Sequence, residues 1–170
     1  ITALDLSFNN LTTLPSEMGG LKSLRKLNIS FNLIEELPPC VCKLKALQTL
    51  LVGYNKLRDI PQEIAFLDTL RELSLPGNSF VQFPRSITRV PSLTSLSLAN
   101  NFIGTIPGDV SSLRALERLD VSANQIRTVG AVCANTTLTD LNLSNNKIVA
   151  LPAGLVQLKG LTDLDVSRNQ

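Results

Sequence analysis

The sequence predicts an α/β solenoid, in which about eight stacked coils form one parallel β-sheet over residues 1–170. Two observations lead to this prediction. A leucine or isoleucine opens a unit every 22 or 23 residues, at positions 1, 24, 47, 70, 93, 116, 138 and 161, and the last unit is incomplete. Each unit also begins with the frame L-x-x-L-x-L-x-x-N-x-L, in which other apolar residues replace some leucines. A fixed period in this range indicates stacked repeats, because each unit buries its apolar face against its neighbours.

A short strand opens each unit. In the second unit, Leu27, Asn28 and Ile29 alternate between apolar and polar residues, which is typical of a strand with one buried face. We expect Leu24, Leu27 and Ile29 to point into the core, and Lys26 and Asn28 to point outwards. The chain returns to the same end of the sheet after each unit, so neighbouring strands are expected to pair in parallel.

An asparagine follows each strand, at the ninth position of the unit. The chain turns inward here and leaves backbone donors and acceptors without partners in the sheet. A carboxamide offers two donors and an acceptor, which is enough to bridge adjacent coils. We therefore expect an internal hydrogen-bonded ladder rather than a functional site. Its members are Asn9, Asn32, Asn55, Asn78, Asn101, Asn124, Asn146 and Asn169.

The outer half of most units starts with an apolar residue and a proline. Proline suits the first position of a short helix, where its missing amide hydrogen has no partner to lose. Two apolar residues three positions apart follow, such as Ile64 and Leu67, which predicts short helices or 3-10 turns on the core. The strands then line the concave face, and the helical segments form the convex side. The apolar–proline pairs are Leu14-Pro15, Leu37-Pro38, Ile60-Pro61, Phe83-Pro84, Ile106-Pro107 and Leu151-Pro152.

The sixth unit, residues 116–137, is one residue shorter than the others. Gly130 is predicted to replace the proline, and Asn135-Thr136-Thr137 stands where an apolar residue is usual. This pattern favours a tightened convex loop, with a local contact or flex point on the back surface as the alternative.

The three cysteines do not form a disulfide pattern, because their number is odd and small. Cys133 aligns with Val110 and Leu155 and is therefore expected in the core as a small apolar residue. Cys40 and Cys42 flank the core position of their own unit. A zinc or redox site at these two residues would lack further ligands, so three free thiols are expected.

Composition argues against catalysis and against two classes of partner. The chain has no histidine, which removes the commonest general base and metal ligand, and no nucleophile with an activating base is visible. We expect no enzyme activity within these residues, no cofactor and no metal. The 16 basic and 14 acidic residues form no block of one sign, which argues against nucleic acid. No apolar run approaches the length of about 18 residues that inserts into a membrane.

The repeated frame resembles that of the leucine-rich repeat family over the whole chain. The segment L-P-x-x-Φ-x-x-L with its 23-residue period resembles the subtype of Ras suppressor protein, Scribble, Erbin and the plant intracellular Ras-group repeats. The resemblance implies a right-handed horseshoe and a cytoplasmic scaffold or signalling module that binds proteins on its concave face. Residues 101–107 depart from this subtype, because Gly104 approaches the plant receptor pattern but leaves it one residue short.

Aromatic residues occupy the eighth position of the first three units, namely Phe8, Phe31 and Tyr54. Neighbouring strands lie about 4.8 Å apart, so these rings are able to form a contiguous ladder. Aromatic and leucine side chains with an arginine rim are typical of a protein-binding hot spot, although packing along the sheet edge is the alternative role. The candidate partner-binding residues here are Phe8, Arg25, Lys26, Phe31, Leu51, Tyr54, Arg71 and Glu72.

Acidic residues dominate the outward positions of the last three strands. The candidate residues are Asp120, Asp140, Asp163 and Asp165, and Arg118 and Arg168 partly offset their charge. This cluster is suited to a basic segment of a partner, with a solvated polar face as the alternative. A calcium site would need a loop motif that the sequence lacks.

These patterns predict a non-catalytic protein-binding module. The alternatives are a sensor or targeting segment of a larger enzyme, such as a kinase, phosphatase, cyclase or ubiquitin ligase, and an extracellular receptor domain. We also expect the chain to be a fragment that lacks both caps, because solenoid ends need polar caps and this chain starts and stops within repeats. Any membrane association would come from other parts of the protein.

Overall fold

Eight three-residue strands form one open parallel sheet in the computed structural model, which describes residues 1–170. The strands lie in the sheet in sequence order, and equivalent leucines stand opposite each other, as Leu27, Leu50 and Leu73 do. The predicted parallel solenoid is therefore confirmed. The strands are β1 (Ala3–Asp5), β2 (Lys26–Asn28), β3 (Thr49–Leu51), β4 (Glu72–Ser74), β5 (Ser95–Ser97), β6 (Arg118–Asp120), β7 (Asp140–Asn142) and β8 (Asp163–Asp165).

Each strand begins one residue earlier than the sequence pattern predicts. In the second unit the strand covers Lys26–Asn28, and Ile29 lies just beyond it. The N–H of Ile29 still donates to the carbonyl of Leu51 on the next coil, at 2.9 Å. The cross-coil hydrogen bonds thus continue past the strand, and Ile29 remains fully buried as predicted.

Seven 3-10 helices form the opposite side of the coils. Proline precedes most of them rather than occupying their first position. Pro61 has extended backbone angles, and its carbonyl accepts the N–H of Ile64 at 3.1 Å. The second helix follows the double proline at residues 38–39 and has only three residues. The helices are Ser16–Gly20, Val41–Lys43, Gln62–Phe66, Arg85–Arg89, Gly108–Ser112, Gly130–Ala134 and Ala153–Gln157.

A single apolar core of 42 buried residues runs from the first coil to the seventh, and the eighth coil packs partly buried apolar residues against it. The predicted asparagine ladder lies beside it. In the sixth unit, the Nδ2 group of Asn124 donates to the carbonyls of Leu98, Val121 and Ser122, and its Oδ1 accepts the N–H of Ile103 at 2.9 Å. One side chain thus joins two coils. Six of the eight ladder asparagines are buried; Asn9 in the first coil is exposed, and Asn169 in the last is half-buried.

The sixth unit corrects two sequence predictions. Val129 precedes its 3-10 helix, and its carbonyl accepts the N–H of Val132 at 3.1 Å. Gly130 is therefore the first residue of the helix and does not replace the proline. Val132 is fully buried, whereas Cys133 is half-buried, so the core position assigned to Cys133 was wrong. Val129 thus stands where proline precedes the other helices, but it is buried and its φ of −124° and ψ of 13° are not extended.

No helical segment has the length and apolar character that a membrane crossing requires.

Candidate functional site

The rings of Phe8, Phe31 and Tyr54 form a continuous stack along the edge of the concave face, hereafter the aromatic stack. The ring centroids of Phe8 and Phe31 are 4.3 Å apart with an interplanar angle of 8°. Those of Phe31 and Tyr54 are 4.4 Å apart with an angle of 12°. The three residues are 75%, 40% and 47% exposed, so the stack presents apolar surface to solvent. The structure brings together all three rings, as the strand spacing predicts.

A left-handed backbone places the aromatic stack. The eighth residue of every unit has a positive φ, and Phe31 and Tyr54 have values of 56° and 54°. This conformation directs the backbone N–H of Phe31 to the carbonyl of Gly53 on the next coil, at 2.9 Å. A non-glycine residue at positive φ is strained, and here the cross-coil hydrogen bonds hold it. This feature was not predicted from the sequence, although glycine or asparagine stands at three of the eight positions: Gly77, Asn100 and Asn145.

Two glycines extend the apolar surface to the fourth coil. A Cβ atom on Gly77 would lie 2.6 Å from Cδ1 of Tyr54, so the tyrosine ring rests directly on the backbone of that coil. A Cβ atom on Gly53 would likewise lie 2.9 Å from Cγ of Pro76. Gly53, Pro76 and Gly77 therefore belong to the surface around the stack, and the sequence analysis did not single them out as binding residues.

The other predicted residues of this region lie on or beside β2 to β4. Leu51 ends β3 and is half-buried, and Lys26 and Glu72 begin their strands with exposed side chains. Glu72 accepts a hydrogen bond from Thr49 at 3.2 Å. The single ion pair of the structure joins Lys56 to Glu35 elsewhere. Arg25, Lys26 and Arg71 thus form no ion pair within the chain.

A second feature of the concave face is a hollow of about 350 Å³, hereafter the acidic hollow. It brings together all four predicted aspartates, which come from three adjacent strands. Ser95, Ser97 and Asn142 also line it, and the sequence analysis did not assign them to the acidic site. Three strand leucines also line the hollow. Its polar lining residues are Ser95, Ser97, Arg118, Asp120, Asp140, Asn142, Asp163 and Asp165.

The acidic hollow carries an unbalanced negative charge. Four carboxylates face one guanidinium, that of Arg118, and none of the four lies within ion-pair distance of a cation. The backbone N–H of Ser167 donates to Oδ1 of Asp165 at 2.9 Å. This hydrogen bond, assisted by the Ser167 hydroxyl, lowers the pKa of Asp165 below its usual value. Asp165 is therefore ionised at neutral pH and well into the acid range.

A larger hollow of about 850 Å³ lies off the sheet, beside the first three units. The double proline Pro38-Pro39 is on its wall, with Glu35, Arg58 and Asp59. No sequence prediction covers this hollow. Its lining is mixed in charge and shares no residue with the concave surface.

Family models match most of the chain in four segments. The model described as "Leucine rich repeat" matches residues 22–80, and "Leucine Rich repeats (2 copies)" matches residues 91–132. Two further models with the description of a leucine-rich repeat match residues 134–149 and 1–21. No curated protein sequence matches the chain.

Solved structures match the chain over nearly its whole length. A leucine-rich-repeat protein of Leptospira interrogans has a TM-score of 0.95 and 36% identity, over 98% of this chain and 43% of that protein. TLR13 in complex with ssRNA13 has a TM-score of 0.88 and 29% identity, over 99% of this chain and 25% of the other.

A receptor ectodomain is a third match. It belongs to the Arabidopsis thaliana membrane receptor kinase GASSHO1/SCHENGEN3, in complex with CASPARIAN STRIP INTEGRITY FACTOR 2. Its TM-score is 0.83 and its identity 30%, over 98% of this chain and 21% of the other. The chain thus spans less than half the length of each of these three proteins.

Proposed function

The chain belongs to the leucine-rich repeat family, and we propose that it binds another protein along the concave face of its sheet without catalysing a reaction itself. Stacked repeats provide extended concave surfaces that suit this task. The observation that carries the proposal is the aromatic stack, in which three rings are aligned, partly exposed and free of any covering element.

The energetics of protein interfaces support this assignment. Aromatic side chains dominate binding hot spots because they bury a large apolar area at a low cost in conformational entropy. Phe31 is stacked between two rings, and Tyr54 lies between Phe31 and the backbone of Gly77, so a partner would not need to order either ring. We expect truncation of either ring to weaken binding by about 2 kcal/mol, which is typical of a hot spot.

The charges near the aromatic stack and in the acidic hollow give the surface a direction. Arg25, Lys26 and Arg71 lie at the start of β2 and β4, on the second and fourth coils, whereas four aspartates line the hollow. Complementary charges raise the rate of association and reject wrong partners more than they raise affinity. We assign the twelve predicted residues to partner binding on this basis.

A capture experiment with two variants of the array tests the proposal. The concave variant carries Phe31→Ala, Leu51→Asp and Tyr54→Ala. A matched variant, Phe66→Ala, Val81→Asp and Phe102→Ala, removes similar exposed apolar surface elsewhere. Circular dichroism checks that both variants fold. The proposal predicts proteins that the wild-type and matched arrays capture and the concave variant does not. Calorimetry then measures whether such a protein binds the array directly, and direct binding would support the proposal. Equal capture by all three arrays would contradict it.

The wider setting is also part of the proposal. We infer a scaffold or signalling role in the cytoplasm, as the 23-residue subtype implies. The ectodomain of the Arabidopsis receptor kinase favours a second candidate, an extracellular receptor domain that is joined to an enzyme. A longer sequence with a kinase domain or a membrane anchor would favour that second candidate. The TLR13 complex holds RNA, but the acidic hollow of this chain would repel phosphate groups, so we propose a protein partner.

A further inference from the structure

We propose that the concave face binds one extended segment of its partner, anchored at one end by an aromatic side chain on the aromatic stack and at the other by a lysine or arginine in the acidic hollow. This inference rests on the proposed function and adds the chemistry, polarity and length of the segment that the surface fits.

The anchor end follows from the geometry of the rings. Because Phe31 is stacked on both sides and Tyr54 rests on Gly77, their faces are covered and their edges point to solvent. Ring edges carry partial positive charge and prefer the negative face of another aromatic ring. An aromatic side chain of the partner therefore gains more here than an aliphatic one, and Leu51 and Pro76 supply further apolar surface at its side.

The middle of the concave face leaves a path between the two ends. Strands β4 and β5 present the serines Ser74 and Ser97, which stand side by side in the sheet register, and Ser95, which stands beside Glu72. The serine side chains are small and half-buried, so a backbone is able to pass close over them. Their hydroxyl groups are suited to hydrogen bonds with main-chain groups of any sequence, which leaves sequence discrimination to the two ends.

The basic end follows from charge complementarity. The four aspartates of the acidic hollow form no ion pair, so a cation brought among them competes only with the nearby charges of Arg118 and Arg168. At the start of β2 and β4, Arg25, Lys26 and Arg71 outnumber Glu72 and would repel the same cation. A segment with one basic end therefore binds in one orientation only.

The spacing of the strands sets the length of the segment. The centre of the aromatic stack lies on the second coil and the centre of the acidic hollow on the seventh, five strand steps away. At about 4.8 Å per step this is about 24 Å, and an extended chain covers it with about seven residues. The aromatic anchor and the basic residue should stand about that far apart in the partner.

Selection from a library of random 16-residue peptides displayed on phage tests this inference. We expect peptides recovered on the wild-type array to pair an aromatic residue with lysine or arginine about seven positions away, always in the same direction. For a recovered peptide, the variant Asp140→Asn, Asp163→Asn and Asp165→Asn should bind about tenfold more weakly, and high salt should reduce this difference. The matched variant Glu17→Gln and Asp68→Asn, at exposed sites off the sheet, should bind like wild type.

The outcomes separate this inference from the proposed function. If peptides require Phe31 and Tyr54 but lack the spaced basic residue, or bind the triple asparagine variant equally well, the inference is wrong and concave binding stands. If no peptide binds the wild-type array, or all recovered peptides ignore the loss of Phe31 and Tyr54, both proposals are contradicted.

Discussion

Replacing Asn124 by alanine should make the solenoid easier to unfold, because the Asn124 side chain is the sole partner of a buried backbone donor. The N–H of Ile103 donates to Oδ1 of Asn124 at 2.9 Å, and Ile103 is fully buried. The alanine variant leaves this N–H without a partner inside the core. The carbonyls of Leu98, Val121 and Ser122 lose one hydrogen bond each but keep another from the chain.

The magnitude follows from these contacts. An unsatisfied buried donor costs about 1–3 kcal/mol, and each of the lost amide hydrogen bonds contributes a fraction of that. We therefore expect Asn124→Ala to lower the free energy of unfolding by about 3 kcal/mol. Asn9→Ala is the matched control. Asn9 is exposed and its side chain donates only within its own coil, to Leu6 and Ser7, so its loss should cost less than about 1 kcal/mol.

Urea denaturation followed by circular dichroism measures both changes, and hydrogen exchange at the amide of Ile103 gives a local readout. The alanine variant should lose protection at this amide before global unfolding. Equal effects of Asn124→Ala and Asn9→Ala, or unchanged protection at Ile103, would refute the assignment of the asparagines as an internal ladder.

Three further predictions concern other parts of the molecule. Gly77→Ala should push the ring of Tyr54 off the fourth coil, which raises acrylamide quenching of its fluorescence, since Tyr54 is the single tyrosine and tryptophan is absent. Asn135→Leu should stabilise the fold by about 1–2 kcal/mol in urea, because it removes a buried Oδ1 that has no hydrogen-bond partner. The carbonyls of Val110 and Leu113 lose the Nδ2 donor of Asn135, but each keeps a backbone hydrogen bond. Burial raises the pKa of Cys42 to about 11, so at pH 8 its thiol stays neutral and should react with a disulfide reagent more slowly than the half-buried Cys133.

Each of these predictions has a control. Gly104→Ala should leave tyrosine quenching unchanged, because no heavy atom lies within 4 Å of the added methyl group. Asn146→Leu should destabilise the fold, unlike Asn135→Leu, because the amide of Asn146 is hydrogen-bonded through both its nitrogen and its oxygen. All cysteines should react at one rate in urea. Unchanged quenching in Gly77→Ala, a destabilising Asn135→Leu or rapid labelling of folded Cys42 would each contradict the corresponding argument.

The repeat made the sheet and both candidate surfaces predictable from the sequence. Because the coils stack by simple translation, residues at one phase of the repeat fall into one row. Counting therefore placed Phe31 beside Tyr54 and Asp140 beside Asp163, and the structure brings both pairs together. The same periodicity identified the asparagine ladder, since no functional site would require one residue type in every coil.

Counting failed where the repeat changes length. In the 22-residue unit the sequence does not show which position is deleted. An alignment from the start of the unit therefore assigns Cys133 to the core, whereas the structure buries Val132 there. The strained backbone of the eighth position was missed because Phe31 and Tyr54 are unusual residues for a positive φ. The contact of Tyr54 with Gly77 joins two coils and depends on the rotamer of Tyr54. The residue pattern within one unit does not specify that rotamer.

The most direct test of concave binding is an NMR titration of the ¹⁵N-labelled array with a peptide recovered on it. We predict that the largest amide shift changes fall at Phe31, Leu51 and Tyr54, with a second group at Asp140 and Asp163. Shift changes confined to the 3-10 helices of the convex side, with the strands unaffected, would contradict the account.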